Sequence, residues 1–299
     1  MVTPFTESGD LDLEALKSET AYMVKVGVHG LVVGGSTGEG STLTKDELKQ
    51  ACKTVKQTAQ RLAGDRFPVL SGIITNSTRE AIEYATEAKS AGVDGLQVTP
   101  IPGYIFKPRI EDQVRAFEEV GKAIGLPIVI YNVVPTNKMT ASDLEKLTSV
   151  KQVVGVKQSG ADIHTLADVI LALGDKISVL SAVDDMLLPS LVIGAHGSIN
   201  AANTIYPDLC VQLYNLYRRG KIEECVSLHW KIFRMVRVTV FGSATLTHGD
   251  MPARVHFACN AQGRKAGYPR LPFSTPSEEG KKDILEALSF AGKTASPTQ

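Results

Sequence analysis

Short apolar runs alternate with longer amphipathic segments over the first two thirds of the chain. This alternation is typical of repeated βα units, in which each strand is followed by a helix and the strands form one parallel sheet. The first run is only a stub. We place the eight strands at residues 2–5, 30–34, 68–72, 95–99, 127–131, 153–157, 177–180 and 197–200.

The predicted strands are rich in Val, Ile and Leu and lack polar alternation, so we expect both of their faces to be covered. A doubly wound open sheet is the alternative arrangement of such units. Eight successive units without a dinucleotide-binding fingerprint favour closure. The sequence therefore predicts an α/β fold, a (β/α)8 TIM barrel.

Further helical patterns follow the eighth strand, which is more than one closing helix requires. They cover about residues 206–219, 222–238, 251–262 and 277–288. We predict a barrel carrying the active site at residues 1–220 and a C-terminal helical extension at 221–299. The extension is expected to pack on the barrel or on a neighbouring subunit.

Composition narrows the function classes. The 299 residues include 32 basic and 32 acidic side chains, so no overall field attracts nucleic acid or an anionic membrane. The four cysteines are far apart and form no CxxC pattern, which is typical of reduced thiols in the cytoplasm. No basic leader, apolar leader segment or membrane span is recognisable, so we expect a cytoplasmic enzyme acting on small molecules.

Lys157 is the sharpest chemical signal, because it ends the apolar strand that begins at Val153. Active sites of βα barrels lie at the carboxyl ends of the strands. Desolvation there disfavours the ammonium and favours the free amine, which attacks a ketone to form an imine. The alternative is a lysine that pairs with Glu39 or Asp184.

Tyr131 ends the preceding strand, so its hydroxyl is expected at the same mouth of the barrel. A phenol there can carry protons during imine formation and C–C cleavage. The alternative is a packed aromatic residue whose hydroxyl has a structural partner.

A glycine-rich turn, Gly34–Gly40, follows the second strand and contains Gly35, Ser36 and Thr37. Backbone N–H groups and two hydroxyls in such a turn can bind a carboxylate, and Thr37 can pass a proton between Tyr131 and solvent. The alternative is a turn required only for a sharp βα connection. Its pattern is not that of a nucleotide-binding loop.

Metal-dependent and serine-hydrolase chemistry find no support in the sequence. The six histidines form neither HExxH nor an i, i+4 pair, and no GxSxG elbow is present. We therefore expect no metal and no cofactor, with covalent chemistry carried by the protein itself.

Together these motifs resemble the dihydrodipicolinate synthase and N-acetylneuraminate lyase family of pyruvate-dependent class I aldolases. The resemblance covers nearly the whole chain and includes Val98–Pro100 and Gly267–Arg270. It implies an imine on Lys157, a proton relay through Tyr131, and carboxylate binding by Ser36 and Thr37. It also implies a homotetramer built as a dimer of dimers, with Tyr104 as the nearest match to a tyrosine that reaches across the tight dimer interface.

The substrate is less defined by the resemblance. Lysine-pathway synthases carry an arginine shortly after the Tyr-Asn-Val segment, whereas this chain has Lys138, which lacks the bidentate geometry of arginine. Candidate contacts to the substrate lean towards the sialate lyase branch, although the segment after Asn200 lacks a hydroxyl that this branch uses. These candidates are Gly35, Ser36, Ser159, Asp184, Ile199 and Asn200. The apolar loop at Ile101, Ile105 and Phe106 would equally favour a less polar aldehyde.

Four hypotheses follow. The first is an aldolase or lyase that joins pyruvate, or a related 2-oxo acid, to an aldehyde or cleaves a hydroxy-2-oxo acid. The second is a 4-hydroxy-tetrahydrodipicolinate synthase of lysine biosynthesis. The third is a dehydratase of 2-oxo sugar acids on the same scaffold, and the fourth is a ligand-binding barrel without turnover.

Overall fold

The computed structural model describes residues 1–103, 106–160, 162–241 and 250–293. In these residues a single sheet contains seven parallel strands, each hydrogen-bonded to the next in chain order. The order never reverses, as it would in a doubly wound sheet. The strands are β1 (Leu31–Val33), β2 (Val69–Ile73), β3 (Gly95–Val98), β4 (Ile128–Asn132), β5 (Val153–Gln158), β6 (Ser178–Ser181) and β7 (Gly197–Ser198).

Helices separate the strands and continue beyond the last one. They are α1 (Leu13–Val26), α2 (Lys45–Ala63), α3 (Thr78–Ser90), α4 (Ile110–Ile124), α5 (Ala141–Leu147), α6 (Ile163–Leu173), α7 (Leu187–Val192), α8 (Ala202–Ile205), α9 (Pro207–Arg218), α10 (Ile222–Thr239), α11 (Met251–Asn260) and α12 (Glu278–Phe290). The predicted helices after the eighth run correspond to α9, α10, α11 and α12.

Side chains at the helix starts explain where several helices begin. Thr44 and Glu47 form a reciprocal capping box at the start of α2, and Asp162 accepts the His164 N–H at the start of α6. Thr140 is the N-cap of α5, and Asp143 completes a capping box with it.

The stub predicted as the first strand is wrong for the described residues. Its backbone groups bond elsewhere: the Pro4 carbonyl accepts the Asp12 N–H at 3.0 Å, and Phe5 forms isolated antiparallel bridges to Leu11 and Tyr268. Pro4 also has no N–H to contribute to a ladder.

A cavity of about 430 Å³ lies between β1 and β7, and Met1 is among its lining residues.

Two hydrophobic clusters form the core. The first lies between the sheet and the helices α1–α6, and Val55, Leu96 and Ile130 are among its fully buried members. The second joins α7–α12 and also contains Val2. The predicted division after residue 220 stays a prediction.

None of the described helices is both long and apolar enough to cross a bilayer.

Candidate active site

Tyr131 and Lys157 lie side by side near the carboxyl ends of β4 and β5. They are Cα partners in the parallel ladder, and Lys157 Nζ lies 3.6 Å from the centroid of the phenol ring. Because side chains alternate between the two faces of a strand, Lys157 lies on the other face of β5 from Val156, whose side chain belongs to the core cluster against the helices. The pair therefore faces the barrel interior, as the strand patterns predict.

Lys157 is buried without a counter-ion. Its exposed fraction is 6%, and that of Tyr131 is 3%. No carboxylate of the described residues lies within the 4.0 Å ion-pair limit of its ammonium. The structural ion pair of Lys157 with Glu39 or Asp184, the alternative interpretation of this lysine, is therefore not formed in the described residues.

The glycine-rich turn after β1 reaches Tyr131 through Ser36. The Ser36 hydroxyl and the Tyr131 hydroxyl are 2.8 Å apart. The sequence predicts Thr37 as the proton carrier beside Tyr131, whereas Ser36 makes that hydrogen bond. Thr37 follows in the same turn and is half-buried.

The turn is too tight for side chains at its glycines. A Cβ atom on Gly40 would lie 1.8 Å from the Gly34 carbonyl oxygen. The Gly35 carbonyl accepts the N–H groups of Gly38 and Gly40, each at 3.0 Å, and the Ser36 carbonyl accepts that of Glu39. Because these three N–H groups are used inside the turn, donors for a bound carboxylate must come from Ser36 and Thr37.

Asn132 fixes the loop that follows Tyr131. Its amide nitrogen donates to the Met139 carbonyl at 2.9 Å and to Gln158 Oε1 at 2.8 Å, and its oxygen accepts the Met139 N–H. Asn132 is fully buried. The loop after β4 is thereby tied to the residue that follows Lys157 on β5.

Asp184 lies after β6, close enough for its carboxylate to sense the charge of Lys157. Burial raises the pKa of Asp184 to about 6, against the opposing effects of the Ala202 N–H, which it accepts at 2.8 Å, and of Lys157. The carboxylate is therefore a titratable group near the amine, without forming an ion pair with it.

The remaining predicted substrate contacts lie at neighbouring strand ends. Ser159 directly follows β5 and is half-buried. Ile199 and Asn200 follow β7 and line the cavity between β1 and β7, whose lining includes neither Lys157 nor Tyr131. The Asn200 amide nitrogen is buried without a partner among the described residues.

The loop after β3 is described only in part. Tyr104 and Ile105 lie outside the described residues, so the predicted interface role of Tyr104 stays a prediction. Phe106 is 73% exposed. Across the mouth, Lys138 Nζ lies 2.9 Å from where a Cβ on Gly160 would be, which places a second amine beside the residues that follow β5.

A contact between Glu39 and His256, which the sequence did not predict, holds the turn. Glu39 is fully buried, and its carboxylate receives the Arg270 N–H at 2.9 Å and lies 3.0 Å from His256 Nε2. His256 sits on α11 between apolar neighbours, so no local pattern marks it. The Gly267–Arg270 motif was the only signal for this contact.

The described residues contain no group of three or more His, Cys, Asp or Glu side chains arranged to hold a metal ion.

Known proteins resemble the chain over nearly its whole length. Residues 1–291 match the model of the dihydrodipicolinate synthetase family. A 4-hydroxy-tetrahydrodipicolinate synthase of Bradyrhizobium diazoefficiens is 32% identical over 295 residues, which are 98% of this chain and 95% of the relative.

Solved structures are also similar to this chain over nearly its whole length. YagE, a prophage protein of Escherichia coli K12 from the dihydrodipicolinic acid synthase family, was solved with pyruvate; it is 26% identical, with a TM-score of 0.88 over 98% of this chain and 96% of its own. The sialic acid aldolase of Ruminococcus gnavus, 24% identical, has the same fold, with a TM-score of 0.85 over 97% of this chain and 94% of its own.

These matches confirm the predicted barrel fold with its C-terminal helices and the predicted class of enzyme, a carbon–carbon lyase. The chain belongs to the dihydrodipicolinate synthetase family.

Proposed function

We propose that this protein is a Schiff-base aldolase or lyase that reversibly joins pyruvate, or a related 2-oxo acid, to an aldehyde through an imine on Lys157. The observation that carries the proposal is a buried amine without an ion-pair partner, 3.6 Å from the Tyr131 ring. The pyruvate complex of the related YagE supports the 2-oxo acid as substrate.

The reaction begins when the Lys157 amine attacks the ketone carbon of the 2-oxo acid. The resulting carbinolamine loses water and becomes an imine, which draws electrons from the neighbouring carbon. Loss of a proton from that carbon gives an enamine, and its carbon attacks the aldehyde. Hydrolysis of the product imine returns the free amine, and the reverse sequence cleaves a hydroxy-2-oxo acid.

Tyr131 and the turn after β1 supply the proton transfers and the carboxylate site. The Tyr131 hydroxyl carries protons to and from the carbinolamine oxygen, and the Ser36 hydroxyl at 2.8 Å is the next member of the relay. Ser36 and Thr37 also donate to the substrate carboxylate, with Gly35 allowing close approach of the ligand.

The second substrate binds on the opposite side of the mouth. Ser159, Asp184, Ile199 and Asn200 are the residues that we assign to it, on the basis of their positions after β5, β6 and β7. The synthase of lysine biosynthesis remains a second candidate, since a curated relative bears that name. Lys138 offers a charge for a semialdehyde carboxylate but not the paired donors of an arginine.

Borohydride trapping tests the proposal. Reduction in the presence of pyruvate is expected to leave one covalent adduct, located on Lys157 by peptide mass spectrometry. Lys157→Ala is expected to abolish the adduct while the circular dichroism spectrum is retained. Lys138→Ala is the matched control, because it removes the other amine at the mouth and should leave the adduct intact. An adduct of unchanged yield in Lys157→Ala would refute the assignment.

A panel of aldehydes then separates the candidate reactions. Turnover of pyruvate with aspartate semialdehyde, and with no other aldehyde of the panel, would favour the synthase. Turnover with hydroxyaldehydes would favour the lyase. Release of water from a 2-oxo sugar acid without C–C cleavage would favour the dehydratase. The absence of any adduct with wild-type protein would favour a ligand-binding barrel.

We also propose that the protein acts in the cytoplasm as a homotetramer, a dimer of dimers. Tyr104 would approach the site of the partner subunit across the tight dimer interface. Sedimentation equilibrium tests the assembly, and a monomer at micromolar concentration would contradict it.

A further inference from the structure

The turn that carries Ser36 and Thr37 depends on a buried carboxylate. Glu39 closes this turn with a backbone φ of 53°, the only positive φ outside glycine among the described residues. Its side chain has an exposed fraction of 0%. A left-handed residue in this position persists only when its surroundings hold it.

Both oxygens of the Glu39 carboxylate are held by residues of the C-terminal extension. One accepts the backbone N–H of Arg270 at 2.9 Å, and the other lies 3.0 Å from His256 Nε2. The side chain of His256 is 1% exposed. Water therefore cannot replace either contact in the folded protein.

The partners of His256 determine how many protons it carries. Its Nδ1 lies 2.7 Å from the Ala266 carbonyl oxygen, which can only accept, so Nδ1 bears a proton. A neutral ring would then turn the lone pair of Nε2 towards the Glu39 carboxylate, and two acceptors would face each other at 3.0 Å. The contact is attractive only when another proton lies between them.

That proton belongs on the imidazole. One Glu39 oxygen already accepts the Arg270 N–H, and an ionised carboxylate accepts at both oxygens. Arg270 itself is engaged elsewhere, because its guanidinium pairs with Glu47 at 2.6 Å and donates to the Gly9 carbonyl. Among the described residues, His256 is thus the side chain placed to donate to Glu39.

We propose that His256 is a positioning residue, held as an imidazolium between the Ala266 carbonyl and Glu39, that fixes the turn presenting Ser36 and Thr37 to the carboxylate of the 2-oxo acid. The role rests on the function proposed above for that turn. His256 acts through Glu39 and touches no substrate. Its loss is expected to weaken substrate binding more than the later chemical steps.

The first experiment separates binding from chemistry. In His256→Phe, the pyruvate concentration that gives half-maximal borohydride adduct should rise about tenfold or more, as expected when a charged hydrogen bond is lost. The trapping rate at saturating pyruvate should change less than threefold. His256→Lys restores a cationic donor towards Glu39 and is expected to recover most of the affinity.

His229→Phe is the matched control. His229 is another buried histidine of the extension, and it packs against Trp230 and Phe233 rather than against the turn. This variant should bind pyruvate like wild-type protein. An unchanged half-saturation in folded His256→Phe, or an equal rise in His229→Phe, would overturn the positioning role.

The second experiment reads the proton directly and does not depend on folding of the phenylalanine variant. With ¹⁵N-labelled histidine at neutral pH, both ring nitrogens of wild-type His256 should carry protons. In Glu39→Gln the amide can donate to Nε2, so only Nδ1 should remain protonated. A single protonated nitrogen in wild-type protein would refute the imidazolium. If wild-type protein forms no adduct with pyruvate, the proposed function fails, and this measurement still decides the protonation.

Discussion

Replacement of Tyr131 by phenylalanine tests the proposed relay with the least disturbance of the site. The change removes one oxygen atom and keeps the ring, so the contact between the ring and Lys157 Nζ at 3.6 Å survives. The lost interaction is the 2.8 Å hydrogen bond to Ser36. A difference in activity between this variant and wild-type protein is therefore due to the lost hydroxyl.

The structural and catalytic costs of Tyr131→Phe differ in size. A hydrogen bond between neutral groups contributes about 0.5–1.5 kcal/mol to stability, which for a chain of this size lowers Tm by about 1–2 °C. Loss of a proton carrier typically slows turnover by about 10²-fold or more, equal to about 2.7 kcal/mol in the barrier. The catalytic loss thus exceeds the loss of stability, and imine formation continues slowly.

The assay compares steady-state turnover with the rate of borohydride trapping, and Tyr217→Phe is the control. The Tyr217 hydroxyl donates to the Leu191 carbonyl at 2.8 Å, at a place remote from the turn after β1. Both variants should lose similar stability, but only Tyr131→Phe should lose turnover. Turnover near that of wild-type protein would refute the relay.

Two further variants address charge and backbone geometry. Burial raises the pKa of Asp184 to about 6. The carboxyl therefore ionises at a higher pH in the folded protein than in the unfolded chain, and the free energy of unfolding falls as the pH rises from about 4 to 7. Below that window the carboxyl is protonated in both states. Asp184→Asn should therefore raise the free energy of unfolding by about 1–3 kcal/mol at pH 8 and by almost nothing near pH 3.5; denaturation curves showing equal gains at both pH values would contradict this. Gly40→Ala should lower the free energy of unfolding by about 1–3 kcal/mol and raise the half-saturating pyruvate concentration, because its Cβ would lie 1.8 Å from the Gly34 oxygen. Gly64→Ala is a control for lost stability away from the turn, because Gly64 has a φ of 83° and a Cβ there meets nothing within 4 Å. It should bind pyruvate like wild-type protein, and wild-type pyruvate binding in Gly40→Ala would argue against a tight turn.

The wall of the barrel could be predicted because each strand is a local signal. Val153–Gln158 is apolar up to Lys157, and Ile128–Asn132 is apolar up to Tyr131. Parallel strands that follow one another in sequence lie next to one another, so the closeness of these two side chains followed from their shared position at the strand ends. The first stub failed because Pro4 and Phe5 bond to loops and not to a neighbouring strand.

Contacts between distant segments could not be predicted in this way. The choice between Ser36 and Thr37 as the partner of Tyr131 depends on how the turn after β1 bends, which is set by hydrogen bonds that close on the Gly35 carbonyl. Likewise, the contact between Glu39 and His256 joins residues that are 217 positions apart. Helix periodicity places His256 on α11 but does not say which turn the helix meets.

Those contacts between distant segments join the C-terminal extension to the barrel. Glu39 receives its donors from His256 and Arg270, and the buried Glu19 on α1 is paired with Arg264. Removal of one partner from a buried ion pair costs about 3–5 kcal/mol. That cost applies to each carboxylate that stays buried after its partner is replaced. Residues 1–220 therefore have the pattern of a barrel, but the turn at the proposed active site has contacts with residues beyond 220.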